Sequence, residues 1–227
     1  MILLAADTSG KEGSLALVRA ENGPNNGPFL EILDVVALEG GNFSAQLVPQ
    51  MAALLSQRGF TLKDIGGFVV ATGPGSFTGL RVGLAVVKGL AAVLEKPIAA
   101  VSRLEAVARA GAPKGNVLAA LDAGRRQAYV GEYELSGESA TCVKEHLLFW
   151  EELAISAAGR PVATPDKILA EALHQSGINV LDIENPRADA IARIGWKKLT
   201  AGDIADVAAL EANYIRRTDA EILVHGK

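Results

Sequence analysis

Residues 71–83 constrain the fold of this chain more than any other stretch. They read Ala-Thr-Gly-Pro-Gly-Ser-Phe-Thr-Gly-Leu-Arg-Val-Gly and lie between two apolar runs. The run before them, 67–71, is short and strand-like, and the run after them, 80–94, is long enough for a helix. The pattern predicts a strand, a glycine-rich turn and a helix N-terminus, an arrangement that offers unpaired N–H groups to an anion.

The glycine spacing does not match the common nucleotide-binding and hydrolase motifs. Gly79 is not followed by the Lys-Ser/Thr pair of a Walker loop. Gly73, Gly75 and Gly79 stand one residue too far apart for the dinucleotide pattern G-x-G-x-x-G. Gly75 directly precedes Ser76, which excludes a G-x-S-x-G elbow. We therefore predict a phosphate-type loop that lacks the usual chemistry.

Composition indicates a soluble α/β protein. Hydrophobic residues make up 49% of the chain, and the net charge of −4 argues against autonomous nucleic-acid binding. Short basic pairs such as Arg125-Arg126 are interpreted as solvated surface, with a binding role left open. The single cysteine, Cys142, excludes an internal disulfide, and we expect a buried, inert thiol in a reducing compartment.

No targeting or membrane segment is expected. The apolar run 2–6 is too short for a signal sequence, and the run 82–94 is interrupted by Lys88. These observations predict a cytoplasmic protein with no membrane contact.

The order of apolar runs predicts two related α/β halves. Three strands, separated by a polar loop at 21–28, are followed by a helix at 44–58, a strand, the helix after the glycine loop, and another strand. A similar β-then-α plan follows. This predicts a duplicated fold of the actin–Hsp70–hexokinase (ASKHA) kind, in which each subdomain has a mixed sheet and flanking helices. The predicted subdomains are 1–101 and 102–205, and a final segment, 206–227, returns to the first.

The helix after the glycine loop is apolar on two sides. One stripe consists of Leu80, Leu84, Val87, Ala91 and Leu94, and another, nearly opposite, consists of Val82, Val86, Gly89 and Val93. Such a helix needs cover on both sides, either from the helix at 44–58 or from a partner chain. A four-helix contact between two subunits would cover both helices. The predicted partner-binding residues are Leu47, Met51, Leu54, Leu80, Leu84, Val87 and Ala91.

Several motifs together closely resemble one known family, TsaB (also called YeaZ). They are the run 5–9 (Ala-Ala-Asp-Thr-Ser), the loop 72–83, residues 88–91, Pro97, residues 101–106 and residues 120–123, with Asn-Tyr-Ile-Arg-Arg at 213–217 resembling the family's Pro-x-Tyr-Leu-Arg signature. The resemblance spans about the whole chain and is strongest from Val70 to Glu105. Phe43 and Ala212 depart from the family's usual His and Pro, which affects local packing only.

The resemblance implies a subunit rather than a lone enzyme. TsaB-like proteins bind and support a paralogue, TsaD, with the ATPase TsaE as third member. The complex transfers threonylcarbamoyl from threonylcarbamoyl-AMP to N6 of the tRNA adenosine beside the anticodon. ATP and metal are expected on the TsaD-like partner, with no cofactor on this chain and with tRNA reached only through the complex. The two helices at 44–58 and 78–94 would bind the partner, and we expect a homodimer through them in isolation.

The residues that align with the paralogue's metal-binding histidine pair argue against catalysis. Arg103 and Val107 stand there, and neither replaces a neutral imidazole. The three histidines, His146, His174 and His225, are far apart in the sequence. The alternative is an ATP-dependent enzyme or a glycoprotease-like (M22) metallo-enzyme that acts on its own.

Two segments resemble the phosphate hairpins of actin-like ATPases. Asp7-Thr8-Ser9 occupies the first position, and Asp122 begins the second. A Gly-Gly adenosine motif near the C-terminus is missing, and Asp7 has an alternative role as a turn acceptor. The vestigial phosphate-loop candidates are Asp7, Thr8, Ser9, Gly73, Gly75, Ser76, Thr78, Arg81 and Asp122.

Overall fold

The computed structural model describes residues 1–23, 27–137 and 139–216, which form two compact units. Unit 1 comprises Met1–Ala106 and Pro186–Ala212. Unit 2 comprises Val107–Asn185 and the segment that begins at Asn213. These units differ from the predicted subdomains, because the chain returns to unit 1 at residue 186 rather than at residue 206.

Unit 1 is built on a five-stranded mixed sheet. Its strands are β1 (Ile2–Asp7), β2 (Gly13–Gly23), β3 (Gly27–Leu38), β4 (Ile65–Gly73) and β5 (Ile98–Ser102), in the spatial order β3-β2-β1-β4-β5. The first three strands pair antiparallel, and β1, β4 and β5 pair parallel. The turn after β1 and the loop after β4 therefore lie at the same edge of the sheet.

Helices cover both faces of this sheet, because its central strands are apolar on both sides. Along β1, Leu4 and Ala6 pack with α1 (Phe43–Gln57) and α2 (Phe77–Leu94), whereas Leu3 and Ala5 pack with α6 (Ala188–Thr200). A short 3₁₀ turn, Leu62–Asp64, precedes β4, and the start of α3 (Arg103–Gly111) follows β5.

Unit 2 repeats the strand plan of unit 1. Its sheet has the order β10-β9-β6-β7-β8, made by β6 (Lys114–Gly124), β7 (Gln127–Ser136), β8 (Ser139–Phe149), β9 (Val162–Thr164) and β10 (Val180–Asp182). β6, β7 and β8 pair antiparallel, and β6, β9 and β10 pair parallel. The helices α4 (Trp150–Ala157) and α5 (Lys167–Gln175) pack on one face. The repeated strand order confirms the predicted duplicated α/β fold.

Three local predictions need correction. The polar loop predicted at 21–28 is shorter, because β2 and β3 stay paired as far as Gly23 and Gly27; its tip, 24–26, lies outside the described residues. Cys142 is exposed on the edge strand β8 rather than buried. Among the described helices α2 is long and apolar enough to cross a membrane, since Lys88 alone does not lower its hydropathy enough. In the structure, α2 packs on the sheet of unit 1.

Candidate functional site

The glycine-rich loop and the β1–β2 turn meet at the edge of the sheet in unit 1. The amide of Ser76 donates to the carbonyl of Ser9 at 2.7 Å. The hydroxyl of Thr8 donates to the carbonyl of Gly79 at 2.7 Å. Asp7, Thr8 and Ser9 are all buried. The two segments that the sequence singled out separately therefore form one closely packed structure.

Two glycines of α2 permit this contact. A Cβ on Gly79 would lie 2.0 Å from the carbonyl oxygen of Thr8, and a Cβ on Gly83 would lie 2.2 Å from its hydroxyl oxygen. Neither position has room for a side chain. Glycine is thus required here because the backbone and the side chain of Thr8 lie directly against the first turns of α2.

The polar groups of the two loops are largely satisfied by the chain itself. One carboxylate oxygen of Asp7, Oδ1, accepts from the amide of Ser9 at 2.8 Å and from its hydroxyl at 2.5 Å. The hydroxyl of Ser76 caps α2 by accepting from the amide of Gly79 at 3.2 Å. The donors that a phosphate would need at Ser76 and Gly79 are consequently engaged in turn and cap hydrogen bonds.

Gly75 also belongs to this contact, since a Cβ there would lie 2.1 Å from the carbonyl oxygen of Ser9. The other phosphate-loop candidates are not part of it. Gly73 ends β4 beside Ser102, whose hydroxyl donates to its carbonyl at 3.4 Å. Thr78 and Arg81 are exposed, and the guanidinium of Arg81 stacks on the ring of Phe77 at 3.7 Å. Asp122 lies in unit 2, where it is exposed and accepts from the amide of Gly124 at 3.0 Å.

All seven predicted partner-binding residues lie in the core of unit 1. Their side chains are at most 6% exposed; they are Leu47, Met51, Leu54, Leu80, Leu84, Val87 and Ala91. They face the chain's own sheet and are not available to a partner. The outward sides of the same helices carry Val48, which is 53% exposed, and Val93, which is 82% exposed. Val48 directly follows Leu47 and so lies beside the stripe that Leu47 and Met51 form, yet it is not among the seven predicted partner-binding residues.

The two histidines in the described residues each lie beside a carboxylate and not beside another histidine. Nε2 of His146 lies 3.5 Å from Glu132, and Nε2 of His174 lies 3.3 Å from Asp182. Burial lowers the pKa of His146, and the charge of Lys144 lowers it further. His225 lies outside the described residues. Within the described ranges, no group of three or more His, Cys, Asp and Glu side chains could hold a metal ion.

Comparison with known proteins gives one consistent family. Residues 39–222 match the family model described as TsaD, tRNA N6-adenosine threonylcarbamoyltransferase. The chain is 31% identical to the tRNA threonylcarbamoyladenosine biosynthesis protein TsaB of Bacillus subtilis, over 97% of this chain and 96% of that protein. It is 28% identical to the Escherichia coli protein of the same name over the full length of both.

A solved structure supports the same relationship. YeaZ from Pseudomonas aeruginosa superposes with a TM-score of 0.74 and 27% identity, over 94% of this chain and 99% of that one. Together with the two sheets of matching order, this confirms the predicted ASKHA-type fold.

Proposed function

Because this chain belongs to the TsaB family of tRNA threonylcarbamoyladenosine biosynthesis proteins, we propose that it is the non-catalytic dimerisation subunit of the modifying complex. In this proposal it binds and supports a TsaD-like paralogue in the cytoplasm, with a TsaE-like ATPase as third member. The complex moves threonylcarbamoyl from threonylcarbamoyl-AMP to N6 of the adenosine beside the anticodon. ATP and metal are held by the paralogue.

The observation that carries the proposal is the apolar outer surface of α1 and α2. Val93 is 82% exposed and Val48 is 53% exposed, while Val82 and Val86 are only partly covered. A contiguous apolar patch, unlike a single exposed apolar side chain, is typical of a protein interface. We call this surface, Val48 with Val82, Val86 and Val93, the outer valine face.

A glycine on the exposed side of α2 supports the same conclusion. Gly89 lies in mid-helix, and a Cβ built there meets nothing within 4 Å. Glycine in a helix interior costs about 0.5–1 kcal/mol relative to alanine. No contact in the described chain requires that cost, whereas close approach of a partner helix would. The same face would pair two copies of this chain when the paralogue is absent.

The residues at the paralogue's metal positions support a role without catalysis. The guanidinium of Arg103 is a hydrogen-bond donor with no electron pair to offer a metal ion, and Val107 is fully buried and has no ligand atom. A metal analysis of the purified chain tests this point. Stoichiometric zinc or iron would contradict the proposal and favour the independent metallo-enzyme.

Changing the outer valine face should abolish partner binding without unfolding the chain. We expect Val93→Asp to reduce co-purification with the TsaD-like paralogue at least about tenfold, equivalent to about 1.4 kcal/mol, because a carboxylate would be desolvated in an apolar contact. Threonylcarbamoylation of tRNA by the reconstituted complex should fall in parallel. Leu84→Asp is unsuitable for this test, since Leu84 is buried in unit 1 and its change would unfold the chain.

The matched control is Ile155→Asp on α4 of unit 2. Ile155 is 81% exposed, so the same chemical change is made at nearly the same exposure. Both variants should keep the wild-type melting temperature, and only Val93→Asp should lose the paralogue. Equal recovery of the paralogue by both variants would refute a contact through α2.

A further inference from the structure

The turn between β6 and β7 has a conformation that its residues do not favour. Gly124, Arg125 and Arg126 have φ values of 73°, 56° and 57°, so three consecutive residues are left-handed. Gly124 pairs with Gln127, which makes Arg125 and Arg126 the two central residues of a tight hairpin turn. Such turns normally use Asn-Gly because side chains other than Asn and Gly are strained there. Two arginines in this place call for an explanation beyond the turn itself.

Local packing explains Arg126 but not Arg125. The guanidinium of Arg126 lies 5.3 Å from the ring centre of Trp150 and 2.5 Å from a carboxylate oxygen of Glu151. Arg125 is exposed and forms no ion pair with any residue in the described part of the chain. The backbone of Arg125 is therefore held in a strained conformation, while its side chain extends into solvent.

A second arginine and aromatic pair flanks the same turn. Arg216 donates to Oε1 of Gln127 at 2.6 Å, and its guanidinium lies 6.0 Å from the ring centre of Tyr129. Phe149, which is 49% exposed, pairs with Gln127 in the register of β7 and β8 and directly precedes Trp150. Two guanidinium groups and three aromatic rings thus lie close to one hairpin of unit 2.

Three carboxylates lie near these cations, and each has a partner already. Glu151 accepts from Arg126. Asp166 accepts from the amide of Asp122 at 2.7 Å, and Asp122 accepts from the amide of Gly124. Arg125 and Arg216 remain as positive groups that none of these carboxylates pairs with in an ion pair.

We infer that the β6–β7 turn, with Trp150, Phe149 and Arg216, contacts a single-stranded loop of RNA. Unstacked bases lie on aromatic rings and arginine planes, and phosphates pair with free guanidinium groups. An acidic peptide would need the arginines but not the rings. The choice of RNA rests on the proposed function, which places the substrate adenosine in a tRNA loop. With a net charge of −4, this contact supplements binding by the complex rather than replacing it.

The test is a titration of a fluorescent RNA stem-loop with the full chain, alone and with the paralogue. We expect Arg125→Asn to weaken RNA binding about tenfold and to reduce the slope of log K against log salt by about one, because one phosphate contact is lost. The melting temperature should stay the same or rise, since Asn tolerates the left-handed conformation. Lys114→Asn, an equal loss of charge at the opposite end of β6, should leave RNA binding within twofold.

The outcomes separate this inference from the proposed function. Paralogue binding, measured on the same samples, tests the proposed function and should not change with Arg125→Asn. The RNA contact is refuted if Arg125→Asn and Lys114→Asn have the same RNA affinity. It is equally refuted if neither the chain alone nor the chain with the paralogue shows saturable RNA binding. It is also refuted if a fully double-stranded RNA binds as well as the stem-loop. Loss of the paralogue rather than of RNA would make the turn a protein contact.

Discussion

At the scale of single residues, two glycines of α2 serve opposite purposes. Gly79 lies against the backbone of Thr8, where no side chain fits, and Gly89 faces open space. The sequence predicted the strand, turn and helix around these glycines correctly, because glycine and proline interrupt helices and strands through local backbone preferences. It could not show that the turn is filled by Thr8 and Ser9, since that contact joins segments about seventy residues apart.

Replacing each glycine by alanine should separate the two roles. Gly79→Ala should lower the free energy of unfolding by at least about 2 kcal/mol, because its Cβ would collide with the carbonyl of Thr8. Gly89→Ala should raise it by about 0.5–1 kcal/mol, because only backbone entropy changes. Urea unfolding monitored by circular dichroism measures both.

The same pair also tests the proposed interface. Gly89→Ala should weaken the paralogue contact although the chain becomes more stable. A stabilised variant with unchanged partner affinity would mean that no helix approaches closely at Gly89.

At the scale of elements, α2 is enclosed on more than one side. Leu80, Leu84 and Val87 face the sheet, and the ammonium of Lys88 donates to the carbonyls of Leu210 at 2.7 Å and Ala208 at 3.3 Å. Helical periodicity predicted both apolar stripes, but two stripes of similar hydrophobicity do not show which one meets the sheet. That assignment depends on tertiary contacts, and for this reason the predicted partner-binding residues lie in the core instead.

Removing the charge of Lys88 should loosen the segment that it holds. We expect Lys88→Met to cost about 1 kcal/mol, because two carbonyl contacts are lost while an apolar part of similar size is kept. Hydrogen exchange at the amide of Leu210, which donates to Asp206 at 2.8 Å, should become faster. Lys63→Met, at an exposed position of the 3₁₀ turn, is the control; equal exchange at Leu210 in both variants would contradict the role of Lys88.

At the scale of the whole molecule, the duplicated plan was predictable and the chain's return path was not. The alternation of strands and helices predicts two related sheets, and both have the same strand order. The helical pattern of α6 does not reveal which of the two sheets that helix covers. The structure shows that Ile191 and Ala192 pack with Leu3 and Ala5 on unit 1.

The importance of this return can be measured with one substitution on α6. Ile191 is fully buried, and Ile191→Ala should lower the free energy of unfolding by about 2–4 kcal/mol through the cavity it leaves. Ile168→Ala on α5, where the side chain is 74% exposed, should change it by less than about 0.5 kcal/mol. Thermal unfolding of the two variants provides the comparison, and similar melting temperatures would show that α6 contributes little to unit 1.

The closure of unit 1 by Pro186–Ala212 has a consequence for biosynthesis. A ribosome that has finished Met1–Ala106 must still translate all of Val107–Asn185, at roughly 5–20 residues per second, before α6 emerges. For that interval the apolar face that carries Leu3, Ala5 and Val69 has no covering helix. We therefore expect the nascent chain to need protection by holdase chaperones during this interval, and the main body of the second unit to fold before the first is complete.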